Sequence, residues 1–68
     1  MLYMPKRYTA DELIKIVEKA GWYFARSKGS HRIYLHASRS GSVTIPYHKG
    51  KTLHPFIAGS ILKQAGLK

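Results

Sequence analysis

Lys28-Gly29-Ser30 stands between two runs that favour strands: Trp22-Tyr23-Phe24-Ala25-Arg26 before it and His31 to His36 after it. A glycine–serine turn between aromatic and β-branched runs predicts that the chain reverses there and pairs with itself. In the second run Ile33 and Leu35 alternate with Arg32, Tyr34 and His36, the period of a strand with one buried face. This alternation predicts Ile33 and Leu35 toward the core and His31 on their side, at its rim. Arg32, Tyr34 and His36 should then share the exposed face with Thr44 and Pro46. Val43–Tyr47 predicts a third strand. Pro46 cannot donate a ladder hydrogen bond, which assigns that strand to a sheet edge, where a three-stranded meander puts it.

Helical patterns flank the strands. Residues 1–8 form a lead-in interrupted by Pro5. Thr9 followed by Glu12 is a capping box, with Asp11 adding negative charge to the first turn. The helix should run to about Ala20, bury Leu13, Ile14, Val17 and Ala20, and stop at Gly21. Ala37 to Ser42 is a turn, and His48 to His54 a basic loop. Pro55 suits the first turn of a second helix. Ile57, Ile61, Leu62 and Ala65 make its apolar stripe, and Gly66 ends it. Gly59 inside that helix costs on the order of 1 kcal/mol against alanine. The expected fold is α+β, in the α-β-β-β-α order of the double-stranded-RNA-binding fold, with both helices on one face of a three-stranded antiparallel sheet. Residues 1–68 are expected to form a single domain.

A chain of 68 residues buries only about 60% of the surface its unfolded form exposes. A deep substrate cavity does not fit in it, so a site should lie on the surface or at an interface. The sequence has no cysteine, which excludes disulfides, thiolate nucleophiles and cysteine-based zinc sites. Twelve Lys and Arg face three Asp and Glu, for a net charge of +9. The acids Asp11, Glu12 and Glu18 all fall in the first helix; from Lys19 onward every charged residue is basic. Such a one-signed stretch points to a polyanion or an acidic protein partner. No apolar run is long enough to span a bilayer, and the N-terminal residues lack the apolar core of a signal peptide. A soluble, cytoplasmic protein is expected.

Histidine takes and gives protons near neutrality. His31 follows the Gly29-Ser30 turn, with Lys28 and Arg32 on either side to draw an anion. Taken alone it is either a proton-transferring group or a strand-initiating surface histidine. His36 lies an odd number of positions on and faces the other way, so the two cannot share a metal within one regular strand. No metal site and no cofactor are expected. His48 and His54 are expected as loop or capping residues, His48 being nearer to any RNA. Lys49 and Lys51, before the second helix, are phosphate contacts or a solvated loop.

The ordered set Lys28-Gly29-Ser30-His31, Ile33-Tyr34, Val43-Thr44-Ile45-Pro46, His48 and Ile61-Leu62-Lys63-Gln64-Ala65-Gly66 resembles the HicA (YcfA-like) toxin family. The resemblance spans nearly the whole chain. It implies a small endoribonuclease toxin of a type II toxin–antitoxin pair. Metal-independent cleavage of mRNA and inhibition by a HicB-like antitoxin are implied with it. His31 would be catalytic; Lys28, Gly29, Ser30, Arg32, Lys49 and Lys51 would bind RNA. The protein would be a monomer when free, or part of a hetero-oligomer with its antitoxin. A non-catalytic RNA-binding module of the same fold is the alternative. Relatives commonly open the second helix with a Pro-Gly-Thr-Leu-like segment, whereas this chain has Pro55-Phe56-Ile57-Ala58-Gly59.

Overall fold

The computed structural model describes residues 7–68; Pro5 and most of the lead-in lie outside them. The elements follow in the order β1 (Tyr8–Thr9), α1 (Ala10–Lys19), β2 (Trp22–Lys28), β3 (His31–His36), β4 (Val43–Pro46), β5 (Thr52–Leu53) and α2 (Pro55–Gln64). The two helices and the antiparallel β2-β3-β4 sheet make the α-β-β-β-α arrangement that the sequence predicts. A second, two-stranded sheet joins β1 to β5. It occupies part of the expected basic loop, and Leu53 is buried there.

Local signals set the element ends. The Thr9 hydroxyl accepts from the Glu12 N–H at 3.2 Å, and Glu12 Oε1 accepts from the Thr9 N–H at 2.9 Å. This reciprocal pair satisfies donors that the first helical turn leaves orphaned. Ala10, Leu13 and Val17 are buried on the inner face of α1, with Ile14, Ile16 and Ala20 packed beside them. At the start of α2, the His54 Nδ1 accepts from the Phe56 N–H at 3.0 Å, and Pro55 fills the first turn. Pro46 lies on an edge strand, as its missing N–H requires.

The face of β3 is the reverse of the one its own alternation suggests. Tyr34 is buried, 2% exposed, whereas Ile33 and Leu35 are only half-buried. The neighbouring strands decide this. Directly opposed residues of an antiparallel pair share a face. Tyr34 is opposite Val43 and Arg32 is opposite Ile45, both fully buried. On the other side His36 pairs with Trp22, whose indole N–H reaches the Ala65 carbonyl of the α2 cap at 3.3 Å. Trp22, Tyr34, Val43 and Ile45 therefore meet the helices. Arg32 and His36 go with them, half-buried, because long side chains with polar tips can lay an apolar body on the core. Of the five residues expected on the open face, Thr44 and Pro46 remain there.

α2 is rotated from its expected phase. Ala58, Ile61 and Ala65 are buried, while Ile57 is 42% exposed. The small Ala58 side chain takes the inner position, so the helix lies close to the rest of the core. Leu62 packs against that core as expected.

Candidate functional site

Gly29 and Ser30 form the two-residue link between β2 and β3. Gly29 has φ +59°, and among the described residues no non-glycine residue has positive φ. A positive φ at the first linking position only is the pattern of a type II′ hairpin turn, whose twist matches that of the strands it joins. The requirement is conformational: a Cβ on Gly29 would meet nothing within 4 Å, so the turn is also open to an approaching ligand.

This turn sets Lys28 directly opposite His31, and His31 opposite Pro46. The three form one row across the end of the sheet, on the face away from the helices. Lys28 and His31 are exposed, and opposed side chains in such a ladder have Cβ atoms about 5 Å apart. Among the described residues, no side chain hydrogen-bonds the His31 imidazole. Its nitrogens are accessible to a ligand, with an ammonium group as neighbour. His36 faces the other way, as their odd separation predicts, and both its nitrogens are engaged. Nε2 donates to the Ala20 carbonyl at 2.9 Å, and Nδ1 accepts from the Ser38 N–H at 3.0 Å.

Arg32 is adjacent to His31 in sequence but lies on the helix side. Its guanidinium carbon sits 3.9 Å from the centroid of the Tyr47 ring. Burial pushes the Tyr34 hydroxyl above its ordinary 10.0; Glu18 adds to the rise and Arg32 works against it. The structure therefore brings Lys28, Gly29, Ser30 and His31 together and separates Arg32 from them. Tyr47 is the residue that sequence reasoning passed over. Its N–H donates to the Ser30 carbonyl at 2.8 Å, and its hydroxyl donates to Asp11 Oδ2 at 3.3 Å. Its position after Pro46, where a strand continues past its edge proline, was the available signal.

Lys49 and Lys51 lie in an exposed turn closed by the Lys51 N–H on the His48 carbonyl at 3.0 Å. His54 is the α2 cap, as expected. The two helices point the same way along the sheet. Asp11, in the first turn of α1, meets Tyr47 beside the hairpin turn, whereas the Ala20 cap meets His36 at the far end. Gln64 and Ala65, at the C-terminal end of α2, reach Thr44 and Trp22. Both helix N-termini thus lie at the end of the sheet that carries His31; that of α2 brings partial positive charge there, whereas Asp11 and Glu12 offset that of α1. No helix among the described residues is long and apolar enough to cross a membrane.

A solvent-open imidazole, with a lysine directly opposite it across the strand pair, is suited to proton transfer on an anionic substrate. A search of curated proteins finds no match. The sequence does match a family described as the HicA toxin of bacterial toxin–antitoxin systems, over residues 10–67. The chain belongs to the HicA toxin family.

Proposed function

We propose that this toxin is a metal-independent endoribonuclease that cleaves mRNA in the cytoplasm, with His31 as its acid–base group. The observation that carries this reading is the pairing of Lys28 with His31 on one exposed face at the hairpin turn. RNA brings its own nucleophile. His31 removes the proton from a 2′-hydroxyl, the 2′-oxygen bonds to phosphorus, and the bond from phosphorus to the 5′-oxygen breaks. The leaving oxygen takes a proton from water, giving a 2′,3′-cyclic phosphate and a free 5′-hydroxyl, and the imidazolium returns its proton to solvent. General acid–base catalysis by one histidine is typically worth about 10²–10⁴-fold. The Lys28 ammonium offsets the charge that develops on the phosphate oxygens. Gly29 and Ser30 let the backbone approach the substrate, and Lys49 and Lys51 hold more distant phosphates. Arg32, clamped under Tyr47, supports the strand from behind and offers little to RNA on the open face. A HicB-like antitoxin would inhibit by covering His31.

The test is cleavage of a defined RNA in EDTA by the native chain and by His31→Ala, with binding measured in parallel. Fragments ending in cyclic phosphate from the native chain alone, with binding retained in the variant, are expected. Loss of cleavage and binding together would assign His31 a binding or folding role. That no side chain among the described residues orients the His31 ring favours a second reading, a non-catalytic RNA-binding module. It predicts salt-sensitive binding and intact RNA after long incubation.

A further inference from the structure

We propose that the open face of the β2-β3-β4 sheet is a subsite for single-stranded RNA, with the Tyr23 ring as a base-stacking platform and Arg26 and Lys28 as phosphate contacts leading to His31. The inference deepens the ribonuclease reading and rests on its RNA substrate.

An irregularity in β2 creates this face. Trp22, Tyr23 and Phe24 oppose His36, Leu35 and Tyr34 in strict register, but Arg26 rather than Ala25 continues the ladder, opposite Ile33. Ala25 is the extra residue of a bulge. In a regular strand Arg26 and Lys28 would share the helix side with Trp22 and Phe24. The bulge reverses that parity and places both cations with Tyr23 and His31. Bulges are used in this way to re-aim side chains beside functional sites.

Three cross-strand pairs then run down the face: Tyr23 with Leu35, Arg26 with Ile33, and Lys28 with His31. Tyr23 is 51% exposed, while Ile33 and Leu35 form a half-buried apolar floor. The face carries no acid, since Asp11, Glu12 and Glu18 all lie on α1, which covers the opposite side. Aromatic rings interleaved with cations on a sheet surface stack bases and hold phosphates at once. From His31 to Leu35 the face extends about 13 Å, at roughly 3.3 Å per strand residue. That length suits a short single strand lying continuous with the catalytic group. A double-stranded-RNA-binding surface instead spans about 16 base pairs.

The experiment uses the full chain and a fluorescent single-stranded RNA whose 2′-hydroxyls are methylated, so that binding is read without cleavage. Tyr23→Ala should weaken binding about tenfold, within the range for one lost base stack, and Tyr23→Phe should restore it. Arg26→Gln should lower the salt dependence by about one phosphate contact. Thermal unfolding followed by circular dichroism reports whether each variant is folded. Native-strength binding by folded Tyr23→Ala, or tighter binding of the matching duplex, would overturn the proposal. So would a Tyr23→Ala variant that keeps RNA binding and loses a co-expressed protein partner. Tyr23-dependent binding without cleavage of unmodified RNA would sink the nuclease reading alone. His31-dependent cleavage that Tyr23→Ala leaves intact would sink the stacking subsite alone.

Discussion

The Tyr47 backbone N–H donates to the Ser30 carbonyl at 2.8 Å, which carries the β3–β4 pairing one step beyond Pro46 and fastens the turn that presents His31. The same residue lays its ring 3.9 Å from the Arg32 guanidinium carbon and reaches Asp11 with its hydroxyl. One side chain thereby joins the central strand to α1 behind the candidate site. A cation–π contact contributes about 0.5–2 kcal/mol according to its exposure, and a hydrogen bond about 1 kcal/mol. Tyr47→Ala should destabilise the fold by about 2 kcal/mol. Tyr47→Phe keeps the ring on Arg32 and should cost under about 1 kcal/mol. Urea denaturation of both variants checks the difference, and equal losses would show that the ring contributes nothing.

Gly21 and His36 form a second obligatory pair. Gly21 has φ +99°, and a Cβ there would lie 2.5 Å from His36 Nε2, the atom that donates to Ala20. Gly21→Ala therefore meets two penalties, backbone strain of about 1–3 kcal/mol and displacement of the imidazole from Trp22, which it contacts edge-on at 5.1 Å. The double variant with His36→Ala should lose less stability than the two single losses added together, since the clash is then gone. Strict additivity in this cycle would show that the cost is backbone strain alone.

Capping and turn chemistry were legible in the sequence because each acts within a few residues. Thr9 with Glu12, Gly29-Ser30, Pro46 and Pro55 all mark the ends they were expected to mark. The face of β3 was not legible, because Arg32, Tyr34 and His36 each have an apolar body as well as a polar tip. Two alternating sets of similar length compete there, and Trp22, Val43 and Ile45 decide between them across the ladder. The bulge at Ala25 was equally hidden, since Trp22–Lys28 shows no alternation that an extra residue could interrupt. For the site, the turn was enough to place Lys28 beside His31. Arg32 and His31 point to opposite faces, as consecutive strand residues must; what the alternation reversed is which of those faces the helices cover.

Tyr34 gives the fold an alkaline limit. Its hydroxyl ionises above 10.0 in the folded chain, chiefly because burial disfavours the phenolate, and near 10 when unfolded. Between those values the folded state holds the proton and the unfolded state releases it. The contribution is thus fully present below pH about 10 and is lost as the pH rises through the folded-state value. Tyr34→Phe removes this component. The native chain should lose stability relative to Tyr34→Phe between pH 9 and 11, in ~0.5-unit steps of urea denaturation. A constant difference across that range would refute the assignment.

The phase of α2 offers a test on two consecutive residues. Ile57 is 42% exposed and Ala58 is buried at 2%, the reverse of what their sizes suggest. Ile57→Ala removes side-chain area that is already partly in water, and should cost under about 1 kcal/mol. Ala58→Leu forces extra carbons into a buried position, and should cost about 1–3 kcal/mol. Had Ile57 been the inward residue, its truncation would leave a cavity and cost about 2–5 kcal/mol, while Ala58→Leu would project into solvent and be nearly neutral. Denaturation midpoints for the two variants therefore move in opposite order under the two phases, and a larger loss for Ile57→Ala would reject the packing described for α2.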